Sequence, residues 1–166
     1  MRYAVIGLLV ALVTLSGNLA YAITDEERNS LHGLPGVYVD IHPPSKEAQR
    51  DGLSKEAIQT AVELILRSSG IKILTTDKPV ESIPPASLTV RLGTVKGPNL
   101  YSYCVEVNLA QEVSLSRQPG HTMIATTWRK GIGGMIGQEM LVSVIGNAIE
   151  PAIKDFANDF LTVNPR

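Results

Sequence analysis

The sequence holds a single cysteine, Cys104, in 166 residues, so no disulfide can close within the chain and a stapled mini-protein is excluded. Aromatic residues are scarce at 5%, with one tryptophan and two phenylalanines, and aliphatic side chains must therefore build the core. Neither sign of charge is in excess, since 15 basic side chains stand against 16 acidic ones. That balance gives no electrostatic footprint for nucleic acid, and no Lys/Arg cluster marks a contact with anionic lipid. A content of 44% hydrophobic and 19% charged residues excludes collagenous, low-complexity and wholly disordered classes.

Uncharged apolar sequence is concentrated in residues 4–15, behind Arg2 and ahead of Ala20-Tyr21-Ala22. A bilayer-spanning helix needs about 20 apolar residues, and this run is shorter. Its order of positive, apolar and small residues reads as a secretory signal. The expectation is a signal peptide over 1–22, cut after Ala22, and one domain over 23–166. The protein is expected to be exported and, in a bacterium with two membranes, periplasmic. Positions 16–25 hold no cysteine for a lipid anchor, and no transmembrane helix is expected after cleavage.

Residues 37–42 read as a strand, with Val37, Val39 and Ile41 on one face and Tyr38, Asp40 and His42 on the other. Pro43-Pro44 ends it. A polar stretch runs to Gly52, and within it Ser-Lys-Glu-Ala at Ser45 recurs at Ser54. Ser54 is placed to cap a helix, Leu53 to pack on Ile58, and Gly70 to end it in a left-handed conformation. Ile58, Ala61, Val62, Ile65 and Leu66 form its predicted buried stripe, and Glu63 and Arg67 an i,i+4 pair.

A short strand is predicted over 71–74, a breaker-rich segment over 75–85, and a strand over 87–95. The clearest alternation follows a turn at 96–99: Tyr101, Tyr103, Val105, Val107, Leu109, Val113 and Leu115 face one way, and Ser102, Cys104, Glu106, Asn108, Glu112 and Ser114 the other. Residues 121–130 read as a last antiparallel strand bearing Trp128. The glycines of 131–137 read as a sharp turn into a long helix over 138–161, with a kink predicted at Pro151. This order predicts an α+β two-layer sandwich: two long helices on one face of a four- to five-stranded, mostly antiparallel sheet, with the other face open.

Chemical motifs are absent. The glycines 131–137 lack dinucleotide-fingerprint spacing and no P-loop lysine follows them. His32, Asp40, His42 and His121 supply neither a helical histidine pair nor a calcium-type loop. No Gly-x-Ser-x-Gly is present, Cys104 lies mid-strand with nothing nearby to activate it, and Glu106 and Glu112 are well separated. No enzyme is expected, and no catalytic, metal or cofactor-binding residue.

The chain resembles a family of small exported bacterial proteins of uncharacterised function. The resemblance rests on Gly52-Leu53-Ser54 leading to Glu63, Leu66, Arg67, Gly70 and Ile71, then Tyr103, Gln111, Val113, Thr127-Trp128, Gly134 and Gly137. It continues through Phe156, Asn158-Asp159-Phe160-Leu161 and Asn164-Pro165. In architecture the order is similar to envelope accessory domains, such as the lipopolysaccharide-assembly lipoprotein and the N-terminal domain of the Tol system's propeller protein. The missing lipid-anchor cysteine departs from the lipoprotein members.

Two functional expectations follow. The first is a non-catalytic binding or accessory module of the bacterial envelope, contacting an envelope protein or a second copy through the open sheet face or an edge. Tyr38, Asp40, His42, Arg91, Ser102, Cys104, Glu106 and Asn108 are its candidate contact residues. The second is a small-ligand or lipid-binding protein with a groove between helices and sheet. The helical stripes look just wide enough to close the core, which favours the first.

Overall fold

Alternating apolar residues build a four-stranded sheet in the computed structural model, which describes residues 23–75 and 86–165. The expected signal segment and most of the breaker-rich segment lie outside the described residues. The elements are α1 (Asp25–Asn29), β1 (Tyr38–Ile41), α2 (Lys46–Arg50), α3 (Lys55–Ser68), β2 (Ser87–Lys96), β3 (Leu100–Ser114) and β4 (Thr122–Gly137), then a 3-10 turn (Gln138–Met140) and α4 (Leu141–Val163). Strand order is β1-β2-β3-β4; β1 runs parallel to β2, and the other pairs are antiparallel. A parallel pair requires a crossover, and the segment carrying α2 and α3 provides it.

The alternation on β3 places Tyr101, Val105, Val107 and Leu109 in the core and leaves Ser102, Cys104 and Glu106 exposed. Leu88, Val90 and Leu92 of β2 join the same dry face. Over it α3 packs against β1 with Ile58, Val62 and Leu66, and α4 against β3 and β4 with Leu141, Ile145, Ile149, Ile153 and Phe156. Burying each such side chain stabilises the fold by about 1.5–3 kcal/mol.

Several expectations change. The glycines of 131–137 are not a turn: β4 runs through them, pairing Ile132 with Val105, Gly134 with Tyr103 and Ile136 with Tyr101. Gly134 is where the Tyr103 ring crosses the strand, because a Cβ there would stand 3.2 Å from a ring carbon. Residues 71–74 form a single bridge, Val37 with Ile73, and not a strand. Short helices form in residues 25–29 and in the polar stretch before Gly52. Thr24 and Glu27 close a capping box on α1. The Ser-Lys-Glu-Ala echo marks two N-caps, Ser45 accepting from the Ala48 amide and Ser54 from the Ala57 amide. Gly70 ends α3 at φ +77°, and Glu63 pairs with Arg67 at 2.6 Å. Ala61, expected in the buried stripe, is exposed. Pro151 lies inside α4.

A polar joint fastens the ends of the chain to the sheet. The indole N–H of buried Trp128 donates to Asp159 at 3.0 Å, and Arg28 of α1 donates to the other oxygen at 2.9 Å. Phe156 meets the Trp128 ring edge to face at 5.1 Å. A bulge at Leu109/Ala110 frees Thr127 from the ladder, and Gln111 donates to both its hydroxyl and the Ser30 carbonyl. Asn164 donates to the Leu31 carbonyl and accepts from the Gly33 amide.

At the other end of the sheet, Asp51 in the turn between α2 and α3 accepts from Lys96 at 2.6 Å and from the hydroxyl of buried Tyr101. The Lys96 hydrogen bond first, and then the Tyr101 bond, hold the Asp51 carboxyl below its ordinary value. Burial and the same carboxylate raise the Tyr101 phenol.

Two outcomes follow from this packing. Val37 donates to the Lys72 carbonyl at 3.0 Å, and a Cβ on Gly36 would run into that oxygen. Gly36→Ala should therefore cost at least about 1 kcal/mol in a thermal melt, whereas Gly131→Ala, whose Cβ meets nothing within 4 Å, should not. Because the folded pKa of Asp51 is depressed, its contribution is present above the unfolded value of about 3.9 and is lost as pH falls through the folded value. The wild-type melting temperature should exceed that of Asp51→Asn at neutral pH, and the gap should narrow as the pH drops below that range.

Candidate functional site

The α3 sequence carries more apolar residues than its core stripe uses. Ile58, Val62 and Leu66 turn inward, while Ala57, Ala61, Leu64 and Ile65 form a second stripe facing α4. On α4, Val142, Ile145, Gly146 and Ile149 repeat at three- and four-residue spacing and face back. Between the two helices lies a cleft of about 510 Å³, closed at one end by Gly52, Leu53 and Ser54. Small residues make the room: a Cβ on Gly146 would meet nothing within 4 Å. Leu64 at its mouth is 65% exposed and Val142 51%.

Polar groups at the cleft sit at its margins. The Ser54 hydroxyl is committed to its own helix, accepting from the Ala57 amide and donating to Glu56. The Glu150 carboxylate takes the Lys154 ammonium at 2.6 Å, and Asn147 stands beside it. No lysine or arginine lines the cleft. Past Val142, a polar hollow of about 420 Å³ carries Asp51 and Glu139. The cleft is thus an apolar trough whose flanking carboxylates Glu150 and Asp51 are paired with Lys154 and Lys96.

The residues singled out in the sequence lie on the opposite side of the molecule, and strand register orders them in rows. Asp40, Thr89, Asn108 and Arg129 form one row, and Arg91, Glu106 and Gly131 the next. Gly93, Cys104 and Gly133 follow, then Val95, Ser102 and Met135. Arg91 and Glu106 are directly opposed, which favours opposite charges. His42 pairs with Asp40 at 3.4 Å, and Tyr38 begins the outer strand. Glu106 and Asn108 also line a shallow polar cleft of about 380 Å³ with Glu27, Thr126 and Arg129. Val95 and Met135 are 71% and 76% exposed on this face. His32 is engaged with the Val163 carbonyl at 2.7 Å, far from the His42–Asp40 pair in the fold, and among the described residues no cluster of three His, Cys, Asp or Glu could hold a metal ion.

Sequence reasoning missed the cleft because it assigned Ala61 to the core and left Leu64 unexamined, while Ile65 both packs against the core and lines the cleft. Two signals could have found it. Leu64 falls off the stripe of Ile58, Val62 and Leu66, and Gly146 stands inside a helix, where glycine weakens it.

Among the described residues no helix is long and apolar enough to cross a membrane. No protein-family model and no curated protein matches the chain, so the family resemblance rests on its motifs. A crystal structure of a minor lipoprotein from Acinetobacter baumannii is similar at 12% identity, covering 79% of this chain and 95% of that one, with a TM-score of 0.28. At that score the likeness carries no argument about fold or function.

Proposed function

We propose that this is an exported, non-catalytic binding module that takes the tail of a small single-chain amphiphile in the cleft between α3 and α4. The observation that carries this reading is the cleft itself: about 510 Å³, walled by aliphatic side chains and open at Leu64 and Val142. Small-ligand sites span about 300–1,000 Å³ and are mostly apolar with few polar groups. A tail laid in the trough would cover Ala57, Ala61, Leu64 and Ile65 on one side and Val142, Gly146 and Ile149 on the other. The site differs from the groove anticipated between helices and sheet, because it lies between α3 and α4, with Val62, Leu66, Ile153 and Phe156 buried on the sheet side.

A second reading has its own support. The open sheet face could dock an envelope protein, with Tyr38, Asp40, His42, Arg91, Cys104, Glu106 and Asn108 around the exposed Val95 and Met135. Its outer strand β4 is 16 residues long, and an edge strand can recruit a partner strand.

Two substitutions separate the readings. Gly146→Leu fills the cleft from a helix position with open space, and exchanging glycine for a good helix former favours the helix by up to about 1 kcal/mol. The variant should melt at or above the wild-type temperature. It should also lose at least about tenfold in affinity for the neutral fluorophore N-phenyl-1-naphthylamine, a loss of about 1.4 kcal/mol, while Met135→Glu should bind it normally. Unchanged binding in Gly146→Leu, with loss in Met135→Glu, would move the site to the sheet.

A further inference from the structure

Glycine weakens a strand and often marks a place where another backbone comes close. The open sheet face carries three, Gly93 on β2 and Gly131 and Gly133 on β4. Gly133 has a reason within the chain, since a Cβ there would stand 3.1 Å from the Tyr103 carbonyl oxygen. On Gly93 a Cβ would make only an ordinary contact at 3.8 Å, and on Gly131 it would meet nothing within 4 Å. Two charges on the same face are also uncommitted. Arg91 and Glu106 are exposed, and among the described residues neither forms an ion pair.

We infer that this face packs against the same face of a second copy, about a twofold axis that runs along the strands between β2 and β3. Sheets packed face to face keep their strands aligned within about 30°, so this axis sets β2 over β3 of the second copy, and β1 over its β4, row against row. Arg91 then stands over Glu106 of the second copy and Glu106 over its Arg91, and four charges alternate in sign around the axis. Cys104 comes over the bare Gly93 of the second copy, Thr89 over its Asn108, and Asp40 at the rim over its Arg129. Other axes lose this match. One lying on β3 puts Glu106 over Glu106, and one crossing the strands at Cys104 puts Arg91 over Val95 and Glu106 over Ser102. β2 pairs with β3 over 10 residues, with β4 alongside. At usual strand spacings that makes about 500 Å² of flat area per copy and about 1,000 Å² for the pair, the threshold of a specific interface. The surface is separate from the cleft, which lies in the helical layer on the other side of the sheet.

The test is sedimentation of protein spanning residues 23–166 from micromolar to sub-millimolar concentration, where the wild type should approach the mass of a dimer. Arg91→Glu and Glu106→Arg each oppose like charges across the interface, and each should raise the dimer dissociation constant at least about tenfold. Mixed in equal amounts, the two variants should dimerise again, because each chain supplies the charge the other lacks. Mixing leaves the like-charge pair within each sheet unchanged, so a purely structural effect of either substitution would not be rescued. Cys104 gives a second readout. With sheets about 10 Å apart and strands about 4.8 Å apart, the two Cys104 α-carbons lie roughly 11 Å from each other, beyond the reach of a disulfide. A bismaleimide of similar span should join two wild-type chains and not two Arg91→Glu chains, and oxidation alone should join neither. A wild type that stays monomeric, a dimer that both variants keep, or a mixture that stays monomeric overturns the inference. Binding of N-phenyl-1-naphthylamine in the cleft is read separately and stands or falls without it.

Discussion

The carboxylate of Asp159 is the point on which the two helical walls of the cleft depend. Trp128 is fully buried, so its indole N–H needs a partner, and Asp159 is that partner. The same carboxylate holds Arg28, so a single side chain of α4 fixes that helix to β4 and ties the start of the described chain to its end. Phe156 against the Trp128 ring sets the rotation of α4 about its axis. Once that rotation is fixed, Ile145 and Ile149 are buried where the core meets the floor of the cleft, and Val142 and Gly146 face α3. At the far end Asp51 does the equivalent for α3, anchoring its entry turn to Lys96 and Tyr101. The trough is the space left between two helices that are each pinned elsewhere.

Much of this was legible in the sequence and some was not, for identifiable reasons. The period-two run of β3 was unambiguous because a one-residue slip would have buried Cys104, Glu106 and Asn108. Ser54 and Gly70 bounded α3 by cap chemistry. The glycines of 131–137 misled because glycine signals turns locally, whereas here Ile132 and Ile136 keep the strand period and Gly134 makes room for the Tyr103 ring. The helices α1 and α2 were hidden by length, although Thr24-x-x-Glu27 and the doubled Ser-Lys-Glu-Ala were cap signatures in plain view. Asp159, Trp128, Thr127, Gln111 and Asn164 stood out as motif residues with no visible purpose. Their shared role needed contacts 16 to more than 100 residues apart.

The candidate site shows the same limit more sharply. Residues on the open sheet face were placed correctly by alternation, including Asp40, Arg91, Cys104 and Glu106. The cleft was not, because whether an apolar position faces the core or a neighbouring helix depends on where that helix lies, and periodicity alone does not fix it. The outcome is a molecule with two distinct surfaces. One is a charged sheet face, and the other is an apolar trough flanked by carboxylate–lysine pairs.

Backbone amide shifts, followed as N-phenyl-1-naphthylamine is titrated into uniformly nitrogen-15-labelled protein spanning residues 23–166, test the central claim most directly. The account predicts saturable changes concentrated at Ala57, Ala61, Ile65, Val142 and Gly146, with Val95, Cys104, Gly133 and Met135 unmoved. Changes confined to the sheet residues, with the two helices silent, would contradict it.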